Sequence, residues 1–113
     1  MDYYTNAQET EQAAVALLEA EIYRQSVFMS CLAAELFLKS KLLLVSHDEA
    51  LEHSHDIVNI YKALRTRFEP KKSFDRMITK CRKYFNESRY PYSSDVSIYT
   101  KDFASEFISL LLT

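Results

Sequence analysis

Apolar residues recur along this chain at intervals of three and four, and no window shows the strict alternation of a half-buried strand. Thr5 with Gln8 has the spacing of a capping box and predicts a first helix over about 7–20, with Ala13, Ala14, Leu17 and Leu18 on its apolar stripe. A second, long helix is predicted over about 21–45, its stripe formed by Phe28, Cys31, Leu32, Leu38 and Leu42. Glu35 falls on the centre line of that stripe, where an apolar residue is the rule. Ser46 and Glu49 suggest a short helical start before His53. Ser54 then caps a third helix whose first turn holds Asp56 near the positive end of the helix dipole. Ile57, Ile60, Tyr61, Leu64 and Phe68 line one side of that helix, and Glu69-Pro70 ends it. Ser73 caps a fourth helix with Phe74, Met77, Ile78, Cys81, Tyr84 and Phe85 inward. The stretch 86–95 loses the period and reads as a loop. A last helix over about 99–112 buries Phe103, Phe107, Leu110 and Leu111. The expected architecture is all-α, an up-and-down bundle of four to five helices with short connections, forming one domain over 1–113.

Composition narrows the chemistry. The 113 residues include no Gly and two Pro, which argues against glycine-rich phosphate loops, dinucleotide-binding turns and two-residue hairpins. With 48% hydrophobic residues and 15 aromatics (eight Tyr, seven Phe), the chain has material for a core without disulfides or metals. Cys31 and Cys81 are far apart in sequence, each inside an apolar stripe, and read as small buried hydrophobes rather than redox or metal groups. The N-terminus has neither the basic nor the apolar region of a secretory signal, and the apolar run 36–45 is interrupted by Lys39 and Lys41 and too short to span a bilayer. A cytoplasmic location, without membrane association, is the expectation.

Charge is unevenly distributed. The net charge is −2, but 62–89 holds ten basic and three acidic residues, a local +7, while the rest carries −9. Such a basic half attracts phosphates, a membrane surface or the acidic half of a second copy; equally, lysines and arginines coat the solvent face of many helices.

Three constellations can carry chemistry. Glu35 and Lys39 have the favourable i, i+4 order for an intrahelical ion pair. At the rim of the stripe they form a solvated pair. In the core they form a polar pocket that meets His55 or Asp56 from the start of the third helix, with Lys39, His55 or Tyr90 as the partner of the Glu35 carboxylate. His53-Ser54-His55-Asp56 is the densest titratable cluster, but residues two apart on a helix point away from each other, so no metal site is expected there. Capping by Ser54 and packing by His55 is the plainer alternative. In Ser88-Arg89-Tyr90-Pro91-Tyr92, the guanidinium offers a planar fork for phosphate and Tyr90 or Tyr92 a face for a base; alternatively Arg89 pairs with Glu87 or Asp95.

Taken in order, Ala33-Ala34-Glu35, Leu38-Lys39 and Leu42-Leu43 on the second helix, His55-Asp56-Ile57 opening the third, then Tyr84 and Arg89-Tyr90-Pro91, resemble the HEPN domain from about 17 to 107. The resemblance implies a four- to five-helix bundle, commonly dimeric, that binds nucleotides or RNA, often beside a nucleotidyltransferase-type partner in toxin–antitoxin or defence pairs. Catalytic members of that family cut RNA with an Arg followed, four to six residues on, by a His. Here no His follows Arg89; the three histidines are His47, His53 and His55. A metal-independent cleavage needs His as acid or base and Arg on the phosphate. The expectation is therefore a non-catalytic module with Glu35, Lys39, His55, Asp56, Arg89, Tyr90 and Tyr92 as candidate ligand-binding residues, no catalytic residues, no metal and no cofactor. Two alternatives stand beside it: a dimeric accessory subunit with no ligand of its own, and an atypical ribonuclease that brings His55 to Arg89. A symmetric homodimer is expected from the acidic first and second helices and the basic third and fourth.

Overall fold

A computed structural model describes residues 2–45, 57–65, 72–89 and 96–112, and within these every regular element is helical. The elements are α1 (Tyr3–Glu19), α2 (Tyr23–Val45), α3 (Ile57–Arg65), α4 (Lys72–Arg89), a single 3-10 turn (Val96–Ile98) and α5 (Lys101–Leu112). The all-α bundle read from the periodicity is the fold observed. The short helical start from Ser46 falls outside the described residues, as do His55, Asp56, Phe68, Tyr90 and Tyr92.

Helix ends differ from their expected places wherever a cap or a tertiary contact decides them. The N-cap of α1 is Asp2, not Thr5. Its carboxylate accepts from the Tyr4 N–H at 2.9 Å and from the Thr5 hydroxyl at 2.9 Å, so the helix opens four residues before Ala7. These two bonds hold the Asp2 carboxyl below its ordinary pKa, the backbone bond contributing most. The C-terminus of α1 closes in a Schellman arrangement. Ile22 N–H reaches Leu17 O at 2.8 Å and Glu21 N–H reaches Leu18 O at 3.1 Å, which requires Glu21 to adopt φ 64°. This is the position that usually takes glycine, and the chain has none. Consequently α2 begins at Tyr23 rather than Glu21. At the other end of the chain, Thr100 Oγ1 accepts from Phe103 N–H at 3.2 Å, so α5 starts at Lys101 and Tyr99 lies before it. Ser73 lies inside α4 and is not its cap.

The largest departure is the far end of α4. The residues 86–89, expected in a loop, continue the helix to Arg89. The Arg24 guanidinium explains this: its Nη1 donates to the Ser88 carbonyl at 2.6 Å, satisfying one of the carbonyls that a helix C-terminus leaves without a partner. A residue 64 positions away supplies the contact, so local periodicity gives no sign of it.

Side-chain pairs set the topology. Along α1 and α2, Tyr4 meets Phe37 and Ala14 meets Ser26, so the two helices run antiparallel. Along α2 and α4, Arg24 meets Ser88 and Phe28 meets Phe85, again antiparallel. Along α4 and α5, Tyr84 meets Phe103 while Lys80 meets Glu106. Helix α2 touches all four other helices and is the centre of the bundle, with α1 also against α5, and α3 against α4. This explains why its sequence is apolar almost all round: Ser26, Ser30 and Ala33 serve α1, while Cys31, Leu38 and Leu42 serve the opposite side. The stripe predicted for α3 is buried at Ile57, Ile60, Tyr61 and Leu64, and that of α5 at Phe107, Leu110 and Leu111.

Candidate functional site

Two polar regions result from this arrangement, one inside the bundle and one on its surface. The inner one is Glu35 with Lys39. Both sit on the central helix and are only 2% and 5% exposed, and Lys39 Nζ lies 3.5 Å from Glu35 Oε2. The pair is therefore buried rather than solvated, and the His55 and Asp56 expected beside it lie outside the described residues. Lys39 Nζ also lies 6.0 Å from the centre of the Tyr3 ring on α1, whose π face is a further favourable neighbour for a desolvated cation. Burying two charges costs several kcal/mol per ion before pairing, so a pair of this kind is retained only where mutual attraction and hydrogen bonds offset that cost.

The outer region is α4. Its inward residues, Met77, Ile78, Cys81 and Ser88, are buried, and its outward face presents Arg76, Thr79, Arg82 and Lys83 to solvent. Lys62 on the adjacent α3 is exposed as well. Not every basic residue of the segment belongs to this face. Lys80 turns toward α5, where its Nζ lies 3.3 Å from Glu106 Oε2 and 5.3 Å from the centres of both the Phe103 and Phe107 rings. Asp75, one of the few acids in the segment, accepts a short hydrogen bond from the Tyr61 hydroxyl and so belongs to the α3–α4 contact.

The backbone of Arg89 forms the last residue of α4. Arg24 fixes this terminus through Ser88, which is itself fully buried with its hydroxyl donating to Phe85 O at 3.2 Å. Arg24 and Ser88 are thus the residues that set where Arg89 leaves the helix, and sequence reasoning missed both. A signal was present: Arg24, Phe28, Cys31 and Glu35 recur at four, three and four residues along α2, one more turn of the same stripe.

The cysteines are buried in the core, as their places in apolar stripes predict. Both are fully buried, Cys31 on α2 and Cys81 on α4, and the antiparallel register set by Arg24–Ser88 and Phe28–Phe85 brings them beside each other. Burial, then this contact, pushes the Cys31 thiol well above the usual thiol range. Among the described residues no three His, Cys, Asp or Glu side chains gather as metal ligands, and no helix is long and apolar enough to cross a membrane.

These features define a class: an antiparallel helical bundle built around one central helix, with a buried acid–base pair inside and a cationic helix outside. The family model for the HEPN domain matches residues 1–111, and the chain belongs to that family. No curated protein and no solved structure matches it.

Proposed function

We propose that this HEPN domain is a non-cleaving module that binds nucleotide or RNA phosphate on the outward face of α4. The observation that carries this reading is the exposed set Arg76, Arg82 and Lys83 on α4, with Lys62 exposed on the neighbouring α3, while Asp75 is engaged by Tyr61. Arginine and lysine so arranged neutralise successive phosphates without reading bases, so binding is salt-dependent and indifferent to sequence. Arg89 is the last residue of the same helix and adds a further cation to the segment. Cleavage is not expected, because no His follows Arg89 to act as acid or base.

Filter binding with labelled single-stranded RNA tests this. Four phosphate contacts give a log–log slope of roughly 0.7 per contact, an affinity loss of about 50-fold between about 50 and 200 mM salt. Arg76→Ala and Lys83→Ala should each weaken binding evenly across sequences and flatten the slope, and Arg89→Ala should weaken it where that side chain touches phosphate directly. The RNA should stay full length. Shortening that disappears in His55→Ala would instead establish the atypical ribonuclease.

A second reading has its own observation. Helix α1 carries Glu9, Glu11 and Glu19 and no basic residue, so its outer side complements α4 of another molecule. In that reading the domain is a dimeric accessory subunit, alone or beside a nucleotidyltransferase-type protein, and its basic face meets protein. No RNA retention at low salt, together with a dimer by sedimentation at about 100 μM, favours this reading; a specific interface of this kind buries over ~1,000 Å².

A further inference from the structure

The pairing of α2 with α4 is antiparallel, with Arg24 bonded to Ser88 and Phe28 against Phe85, and the same register, continued one turn along each helix, brings Cys31 level with Cys81 in the shared core. The first two pairs, a hydrogen bond and an edge-to-face ring contact, hold the helices so that the cysteines stay level. Fifty positions of sequence separate the two cysteines. Neither thiol touches solvent, and Met77, Ile78, Leu38 and Phe107 are part of the same core. A free thiol of the core is ordinarily a small hydrophobe. Two that face each other across a helix interface are a potential crosslink, since a disulfide needs only that the two Cβ atoms approach and point toward one another.

We infer that Cys31 and Cys81 form a modification site, a facing dithiol that a low-molecular-weight disulfide such as oxidised glutathione converts into an intramolecular bond joining α2 to α4. The first protein thiolate attacks one sulfur of the oxidant and breaks its S–S bond, releasing one glutathione thiolate that takes up a proton. The second protein thiol then loses its proton and attacks the mixed disulfide at the protein sulfur, expelling the second glutathione. Two protein thiols have lost two electrons and two protons, and the oxidant has become two thiols.

Burial governs how this site behaves. A thiol without solvent contact and with a raised pKa supplies little thiolate, so the first attack proceeds through opened states of the α2–α4 contact and not through the closed core. Once one sulfur carries glutathione, reclosing the helices returns the partner thiol to it. The bulky adduct does not fit the packed interface and the short crosslink does, so the protein selects the disulfide over two adducts. The crosslink ties the helix that carries the cationic face to the centre of the bundle, and it does so whether or not that face binds phosphate.

The test uses the full chain incubated with oxidised glutathione, with and without mild urea to raise the open population, followed by intact mass and non-reducing tryptic mapping. The expected product is a monomer lighter by about 2 Da. In it the peptide 25–39 is linked to the dipeptide Cys81-Arg82. It should melt about 10 °C higher than the reduced protein, because the bond closes a long loop in the unfolded chain. Dithiothreitol should reverse both changes. Cys31→Ser and Cys81→Ser should each give one glutathione adduct and no loss of about 2 Da. Stable double adducts, disulfide-linked dimers, or reduced protein recovered unchanged from urea would each overturn the inference. A crosslinked monomer melting below the reduced one would overturn it too, since the bond would then not fit the native interface.

Discussion

Two helix interfaces of this bundle, α1 with α2 and α4 with α5, are packed by different chemistry. Between α1 and α2 the fully buried residues are small, Ala7 and Ala14 on one helix and Ser26, Ser30 and Ala33 on the other, with a ring pair, Tyr4 and Phe37, toward one end. Absence of bulk lets the backbones come close, and the Ser26 hydroxyl donates across the interface to Ala14 O at 2.8 Å while Ser30 donates back to Ser26 O at 2.9 Å. Between α4 and α5 the contact is made by rings. Tyr84 meets Phe103 edge-on at 5.0 Å, Phe103 meets Phe107 at 5.4 Å, and Lys80 lies over both phenylalanines. One interface gains its stability from fit and hydrogen bonds at short range, the other from large apolar area and ring quadrupoles. They should therefore fail in opposite ways: the first when a residue is enlarged, the second when one is removed.

Phe107→Ala is the most damaging substitution on the ring side. Its side chain is fully buried, and truncation should cost about 3–5 kcal/mol, measurable by urea unfolding. A loss under about 1 kcal/mol would mean that the rings collapse into the space and that the α4–α5 contact is soft. Of similar size is the effect of Glu35→Ala in the central helix, about 3–5 kcal/mol, because it leaves the Lys39 ammonium buried without its carboxylate. The double variant Glu35→Leu/Lys39→Met should recover most of that stability, since an apolar pair needs no desolvation of charge. Recovery without loss of the fold would show that the pair serves something other than stability. A single variant that melts within a degree or two of the parent would show that the pair is hydrated.

Ala33→Leu makes the opposite test, on the small-residue side. Extra methyls there should separate α1 from α2 at a cost of about 1–3 kcal/mol, although leucine is the better apolar residue by every transfer scale. A neutral result would erase the proposed contrast between the two interfaces. The smallest effect lies at the turn that joins α1 to α2. Glu21 holds φ 64° at an exposed position, and Glu21→Gly should raise stability by up to about 1 kcal/mol, seen as a higher melting temperature. A decrease would indicate that the glutamate side chain contributes more than its backbone strain costs.

Much of this molecule was legible before any coordinates. Ile57, Ile60, Tyr61 and Leu64 repeat with a clean helical period, and they are buried together on α3. Glu35 on an apolar stripe pointed to a buried charge, and a buried charge with a lysine one turn on pointed to Lys39 as its partner. Such signals are local: they depend on residues three or four apart, whose geometry a helix imposes whatever surrounds it. The quartet Ala33-Ala34-Glu35 and Lys39 also sufficed, with the order of the other motifs, for the family resemblance that the HEPN match over 1–111 bears out.

What the tertiary structure alone decided is where distant segments meet. That α4 runs on to Arg89 depends on a guanidinium from α2. That Cys31 and Cys81 come level with each other in one core depends on the register of the same two helices. Which lysines belong to the cationic face depends on how α4 turns against α5: Lys80 goes inward to Glu106 and the rings, while Lys83 stays out with its ammonium over its neighbour Tyr84. A helical period specifies which residues share a face, but the faces of separate helices are matched only by packing, and that matching uses side-chain volume and register that no single helix carries.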